Sequence, residues 1–137
     1  MCLTEYCGSV EVSAILCLTG LPSDLTGSIL AHEATHAWLS LHPDYVSDVP
    51  IPPFVEEGLC QLVAYLFLSE GLPMPSKLSI NGEPSEENLR QFFRFSIESD
   101  ESPVYGLGFR RASEAYAEIG IEPLLSHVLR YRDFPQL

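Results

Sequence analysis

The chain is short of positive charge: seven Lys and Arg stand against nineteen Asp and Glu, a net charge of -12 over 137 residues. Such a surface repels phosphate backbones and anionic lipid, so no nucleic acid and no membrane partner is expected. Long apolar runs are missing too. The stretch from Val12 to Leu21 is broken by Ser13, Thr19 and Gly20, well short of the roughly 20 residues a membrane span needs. No basic segment precedes it, so no signal peptide is expected. Repeats and low-complexity tracts are absent. Cysteine is sparse: Cys2, Cys7, Cys17 and Cys60. Cys2 and Cys7 have a spacing compatible with half a metal site, but no second pair follows, and they read as two unpaired thiols. Cys17 lies in a strand-like run and Cys60 in a helix-like one, where a small buried thiol is ordinary. This usage points to a reducing, intracellular compartment.

What is present suffices for one domain over residues 1–137, since 46% hydrophobic residues can fill a single core. Glu11 to Leu18, bounded by Gly8 and the Gly20-Leu21-Pro22 turn, reads as the one clear strand. Ser23 or Asp24 can cap a helix on which Leu25, Ile29, Ala34 and Trp38 recur at helical spacing up to the His42-Pro43 break. Trp38 is expected to anchor that helix in the core. A proline-rich loop, Pro43 to Pro53, leads to a second helix from about Phe54 to Ser69, with glutamates in its first turn. Gly71 to Pro84 reads as exposed loop. A third helix runs from Ser85 to about Ile97, a fourth from Tyr105 to Ile119 before Gly120, and a fifth opens with Pro123 as its first residue. The class is α+β, mainly α.

The first helix carries His32-Glu33-Ala34-Thr35-His36. Histidines at i and i+4 lie one turn apart on one face, so both imidazoles can reach one zinc ion at about 2.0 to 2.1 Å. Glu33 beside them is placed to activate a water. A catalytic zinc needs a third protein ligand and one open position, and the second helix offers Glu56 and Glu57. Gln61, one turn after Glu57, is either a partner that orients a ligand or a solvent-facing polar residue. Tyr105 and His127 are the candidate donors to an oxyanion, because both lie where the helical part can fold back over the site. A lone histidine is more often a surface or satisfied core residue, which applies to His42 and His127.

The order Trp38, then Val55-Glu56-Glu57-Gly58, resembles the aminopeptidase gluzincins, whose ligand glutamate directly precedes a glycine. That resemblance favours Glu57 over Glu56 as third ligand and implies a zincin-like (gluzincin) peptidase domain: a small N-terminal sheet remnant, an active-site helix, a glutamate helix and a helical C-terminal part. Further blocks, Gly27-Ser28-Ile29-Leu30-Ala31-His32-Glu33, His36-Ala37-Trp38-Leu39, Val55-Glu56-Glu57-Gly58, Cys60-Gln61 and Ser102-Pro103-Val104-Tyr105-Gly106, resemble the peptidase domain of the plant DA-one organ-size regulators from about Val12 to Pro135. Ala34-Thr35 stand where that family usually has two methionines. The resemblance implies a ubiquitin-activated zinc metallopeptidase of the cytoplasm, with the nucleus as a second location. Its protein substrates would include ubiquitin ligases and other growth regulators. The family's ubiquitin-interacting and LIM portions have no counterpart here, and zincin sheets normally place several strands before the active-site helix.

Two functions are therefore carried forward. The first is a zinc endopeptidase with metal ligands His32, His36 and Glu57 and catalytic residues Glu33 and Tyr105, its selectivity drawn from docking more than from a deep side-chain pocket. The second is a catalytically inactive, zinc-bound interaction module derived from such a peptidase. A binder of ubiquitin without chemistry is a third, with no ubiquitin-interacting motif to support it.

Overall fold

A computed structural model describes residues 2–7, 11–45, 48–70 and 86–137. The elements run β1 (Cys2–Cys7), β2 (Glu11–Cys17), α1 (Ser23–Leu41), α2 (Pro53–Glu70), α3 (Glu86–Glu98), α4 (Tyr105–Ile119) and α5 (Ile121–Tyr131). The fold is thus α+β and mainly helical. The loop expected over Gly71 to Pro84 lies outside the described residues, as do the side chains of Cys2 and Cys7.

Two strands are present where one was expected. β1 pairs antiparallel with β2, from Cys2 opposite Cys17 to Cys7 opposite Glu11, with an irregularity between Glu5 and Tyr6. Apolar alternation is too weak in the Cys2–Cys7 run to announce a strand, and hydrogen bonding to β2 supplies what the pattern lacks. Cys17 is not the free thiol expected of it: it is disulfide-bonded, which removes one support for a reducing compartment. Cys60 is free and buried.

α2 is the central element, packed against α1 on one side and α4 on the other. Leu59, Cys60 and Leu62 are buried, and the core extends through Leu39, Val55, Phe109, Ala112, Leu124 and Val128. Pro53 opens α2 at its first position, where the missing N–H has no intrahelical partner to lose. α5 begins at Ile121, two residues before the proline expected to open it. A proline is tolerated anywhere in a first turn, so Pro123 marks that turn without fixing its first residue. Gly120 has φ +79°, a conformation that suits glycine. Its N–H caps α4 on Tyr116 O at 2.9 Å, and its carbonyl accepts from Leu124 N in α5.

The apolar spacing on α1 does not mark its core face. The buried residues are Ser28, Thr35, Ala37, Leu39 and Ser40. Trp38, expected as a core anchor, is 44% exposed and rests on the His42 ring at 5.0 Å between centroids. α1 and α2 come close, since a Cβ on Gly27 of α1 would meet the Phe67 ring of α2. The buried hydroxyls turn back onto their own helix, Ser28 to Leu25 O, Thr35 to Ala31 O and Ser40 to His36 O at 2.7 to 2.9 Å.

α2 and α4 approach through glycines. A Cβ on Gly58 would lie 2.5 Å from the backbone carbonyl of Gly108, and one on Gly108 would lie 2.5 Å from Phe54 O. Tyr105, three residues before Gly108, stands on the same face of α4 and is brought over the start of α2. Gly58→Ala is expected to force the two helices apart and destabilise the protein by about 1 to 3 kcal/mol, the usual cost of overpacking. Urea unfolding reads this directly, and an unchanged midpoint would show that the approach is not as tight as described.

Candidate metal centre

The histidines of α1 and the glutamates of α2 meet across the α1–α2 interface. His32 Nε2 lies 3.0 Å from Glu57 Oε2, and His36 Nε2 lies 3.3 Å from the same oxygen. Ligands about 2.0 Å from a tetrahedral zinc stand roughly 3.3 Å apart, and both histidine-to-glutamate distances match that spacing. All three side chains are largely buried, at 14, 15 and 21% exposure.

The outer ring nitrogens are held as well. His32 Nδ1 donates to Gln61 Oε1 at 3.0 Å, and His36 Nδ1 donates to Glu56 Oε1 at 2.8 Å. The two glutamates weighed as ligands thus have different positions: Glu57 faces both Nε2 atoms, whereas Glu56 binds the far nitrogen of one ring. Of the two readings of Gln61, the structure gives the contact with a histidine. A donated Nδ1–H leaves Nε2 of a neutral imidazole as the free lone pair, which is the form a metal takes.

Cys60, read from sequence as a buried core thiol, is also part of this cluster. His32, His36 and Cys60 offer ligand atoms within 4.8 Å of one another, a group that can hold a metal ion. Its thiol is hydrogen-bonded to His36, and burial pushes it up to about 11, so without a metal it stays protonated. The signal was available: Cys60 follows Glu57 by three residues and so shares its helix face.

Tyr105 and His127, the two oxyanion candidates, are separated by the fold. The Tyr105 ring stacks on His32 at 6.5 Å between centroids. The negative charge of Glu57, with burial, raises its hydroxyl above the ordinary value and keeps it a donor. His127 lies on α5 with its ring against Tyr131 at 4.6 Å. Glu33 is half-buried and lines a cavity together with His32. His42 accepts from Asp44 N at 3.1 Å beyond the end of α1.

Residues 3–131 match the DA1-like family, described as Protein DA1. The chain belongs to the DA1 family. It is 40% identical to Protein DA1-related 1 and to Protein DA1 of Arabidopsis thaliana, over 97% of this chain and 27% and 26% of those proteins. It is 39% identical to the LIM domain-containing protein HDR3 of Oryza sativa subsp. japonica, over 97% of this chain and 30% of that protein. The chain therefore spans about a quarter to a third of the length of these relatives. No solved structure matches it. No helix among the described residues is long and apolar enough to cross a membrane.

Without a metal, charge inside the cluster settles on protons. Burial alone would lower His36, but the contacts with Cys60, Glu56 and Glu57 outweigh it and hold the ring well above its ordinary value. Burial alone would raise Glu57, but the bonds from His32 and His36 outweigh it and hold the carboxyl at about 2. The depressed Glu57 contributes stability that is complete above its ordinary 4.5 and is lost as pH falls through about 2. The raised His36 contributes stability that is complete below its ordinary 6.5 and is lost as pH rises through its higher native value. In metal-free protein the stability lost on Glu57→Gln should thus be largest between pH 4.5 and 6.5. Urea unfolding of both proteins across pH measures it, and a difference that does not vary with pH would refute the coupling.

Proposed function

We propose that this DA1-family domain is a zinc-dependent peptidase of the zincin-like, gluzincin type that hydrolyses peptide bonds in protein substrates. The observation that carries the reading is the convergence of His32 Nε2 and His36 Nε2 on one oxygen of Glu57. Two imidazoles and one carboxylate form the donor set of an open catalytic zinc site, and a residue with general-base chemistry, Glu33, adjoins it.

A zinc ion held by these three residues would supply Lewis acidity, bringing the pKa of water toward 7 and polarising the substrate carbonyl. Glu33 takes the proton of the attacking water and returns it to the leaving amine. Tyr105, its hydroxyl kept protonated beside Glu57, donates to the oxyanion that develops. Glu56 and Gln61 hold the Nδ1 protons, so that both Nε2 atoms point inward. Family membership supports a role in growth regulation, for which a link to ubiquitin signalling is part of the proposal. Ubiquitin ligases and other growth regulators are the proposed substrates and ubiquitin a proposed partner, within the cytoplasm or nucleus.

Cys60 favours a second reading. If its thiolate took the fourth position beside His32 and His36, the centre would be closed and the domain a catalytically inactive, zinc-bound interaction module. Cobalt substitution tells the two apart, because a coordinated thiolate gives cobalt a near-ultraviolet charge-transfer band that an oxygen and nitrogen shell lacks.

The decisive variant is Glu33→Gln. It is expected to retain the zinc content of wild type while protein cleavage falls by roughly 100- to 10,000-fold, the usual worth of a general base. Elemental analysis and a cleavage assay on the same preparations read both quantities, and equal cleavage by variant and wild type would remove Glu33 from the chemistry. Tyr105→Phe should slow turnover by roughly 100- to 1,000-fold with zinc content unchanged. Unaltered turnover would leave the oxyanion without this donor.

A further inference from the structure

An open cavity of about 470 Å³ lies between α1, α2 and α3, directly beside the site. Its wall is apolar: Leu25 and Ile29 from α1, Ala64 and Leu68 from α2, Phe93 and Ile97 from α3. His32 and Glu33 of the site line it as well. The volume falls in the range of small-molecule and side-chain pockets, roughly 300 to 1,000 Å³. Leu25 and Ile29, one turn apart on α1, are only half-buried and line this space. α3 is held as the outer wall by the Arg90–Asp24 ion pair at 3.4 Å and by Arg94, whose guanidinium lies over the Tyr65 ring and bonds its hydroxyl at 3.2 Å.

We infer that this cavity is a specificity pocket for a bulky apolar side chain, such as Phe, Leu or Met, on the residue that follows the scissile bond. The inference rests on the peptidase reading and adds the substrate class. Its direction comes from Glu33. This residue returns the proton to the leaving amine, so the residue that bears that amine lies nearest to it, and the cavity that shares Glu33 receives that residue's side chain. His36 and Glu57 are not among its lining residues. A charged side chain placed there would lose its hydration among apolar walls, with Glu33 as the one carboxylate among the described lining residues. Selectivity in this domain then has a side-chain pocket as well as docking.

The test uses the zinc-loaded 137-residue chain and a peptide mixture that varies the residue after the scissile bond. Wild type should cleave before Phe, Leu or Met at least about tenfold faster than before Ala or Asp. Two variants that fill the cavity, Ala64→Phe from the wall and Ser96→Trp from its exposed rim, should flatten that preference while zinc content stays unchanged. Cleavage with no apolar preference, or a preference that survives in both variants, overturns the inference. No cleavage at all contradicts the peptidase reading instead. The cavity is then judged by methyl NMR of Ile29 and Ile97, titrated with N-acetyl-phenylalanine amide and N-acetyl-alanine amide. Shifts with the aromatic amide alone sustain the pocket, and equal or absent shifts with both overturn it.

Discussion

Everything in this domain turns on bringing two imidazole nitrogens of one helix to a single carboxylate oxygen of another. His32 Nε2 and His36 Nε2 reach Glu57 Oε2 at 3.0 and 3.3 Å, and that requires α1 and α2 to lie close along the stretch that holds them. Close packing explains why α1 turns Ser28, Thr35 and Ser40 inward and satisfies their hydroxyls on its own carbonyls. Large side chains on that face would separate the helices and the ligands with them. On the opposite side of α2, the Gly58–Gly108 approach brings α4 near enough for Tyr105 to stack on His32. One central helix therefore sets the distances on both flanks of the site.

Electrostatics and burial work against each other in this arrangement. A half-buried group of two histidines and two glutamates loses hydration, and the loss is offset only because every ring nitrogen has a partner. Without a metal the partners are protons, which is why His36 is held above its ordinary value and Glu57 below. A cation between the Nε2 atoms and Glu57 would replace that proton-mediated attraction with direct bonds, and metal binding would release protons. Gln61 and Glu56 already hold the Nδ1 side, so such an exchange would not require the rings to turn.

Much of this was legible in the sequence, because local signals carry it. The spacing of His32 and His36, the Pro and Gly positions at helix ends and the glutamates in the first turn of α2 are patterns over a few residues, and helix bounds followed them to within one or two positions for α1 to α4. Features set by tertiary packing were not legible. Trp38 looked like a core anchor because periodicity reports apolar spacing and cannot tell which apolar residues a neighbouring helix covers. Leu25 and Ile29 share that helical spacing, yet they border a cavity whose outer wall is α3. β1 has too little alternation to be seen without β2. Cys17 read as a thiol although it is disulfide-bonded, because a pairing depends on what the fold places opposite it. The division of labour between Glu56 and Glu57 had a hint in a resemblance but is visible as geometry only when both ring nitrogens of each histidine are located.

The most direct measurement is the zinc stoichiometry of purified wild type and Glu57→Ala protein, by elemental analysis after dialysis against a weak chelator. A three-ligand centre requires that wild type keep one zinc per chain and that Glu57→Ala lose it while remaining folded. Folded wild type without zinc, or equal retention by both proteins, would contradict it.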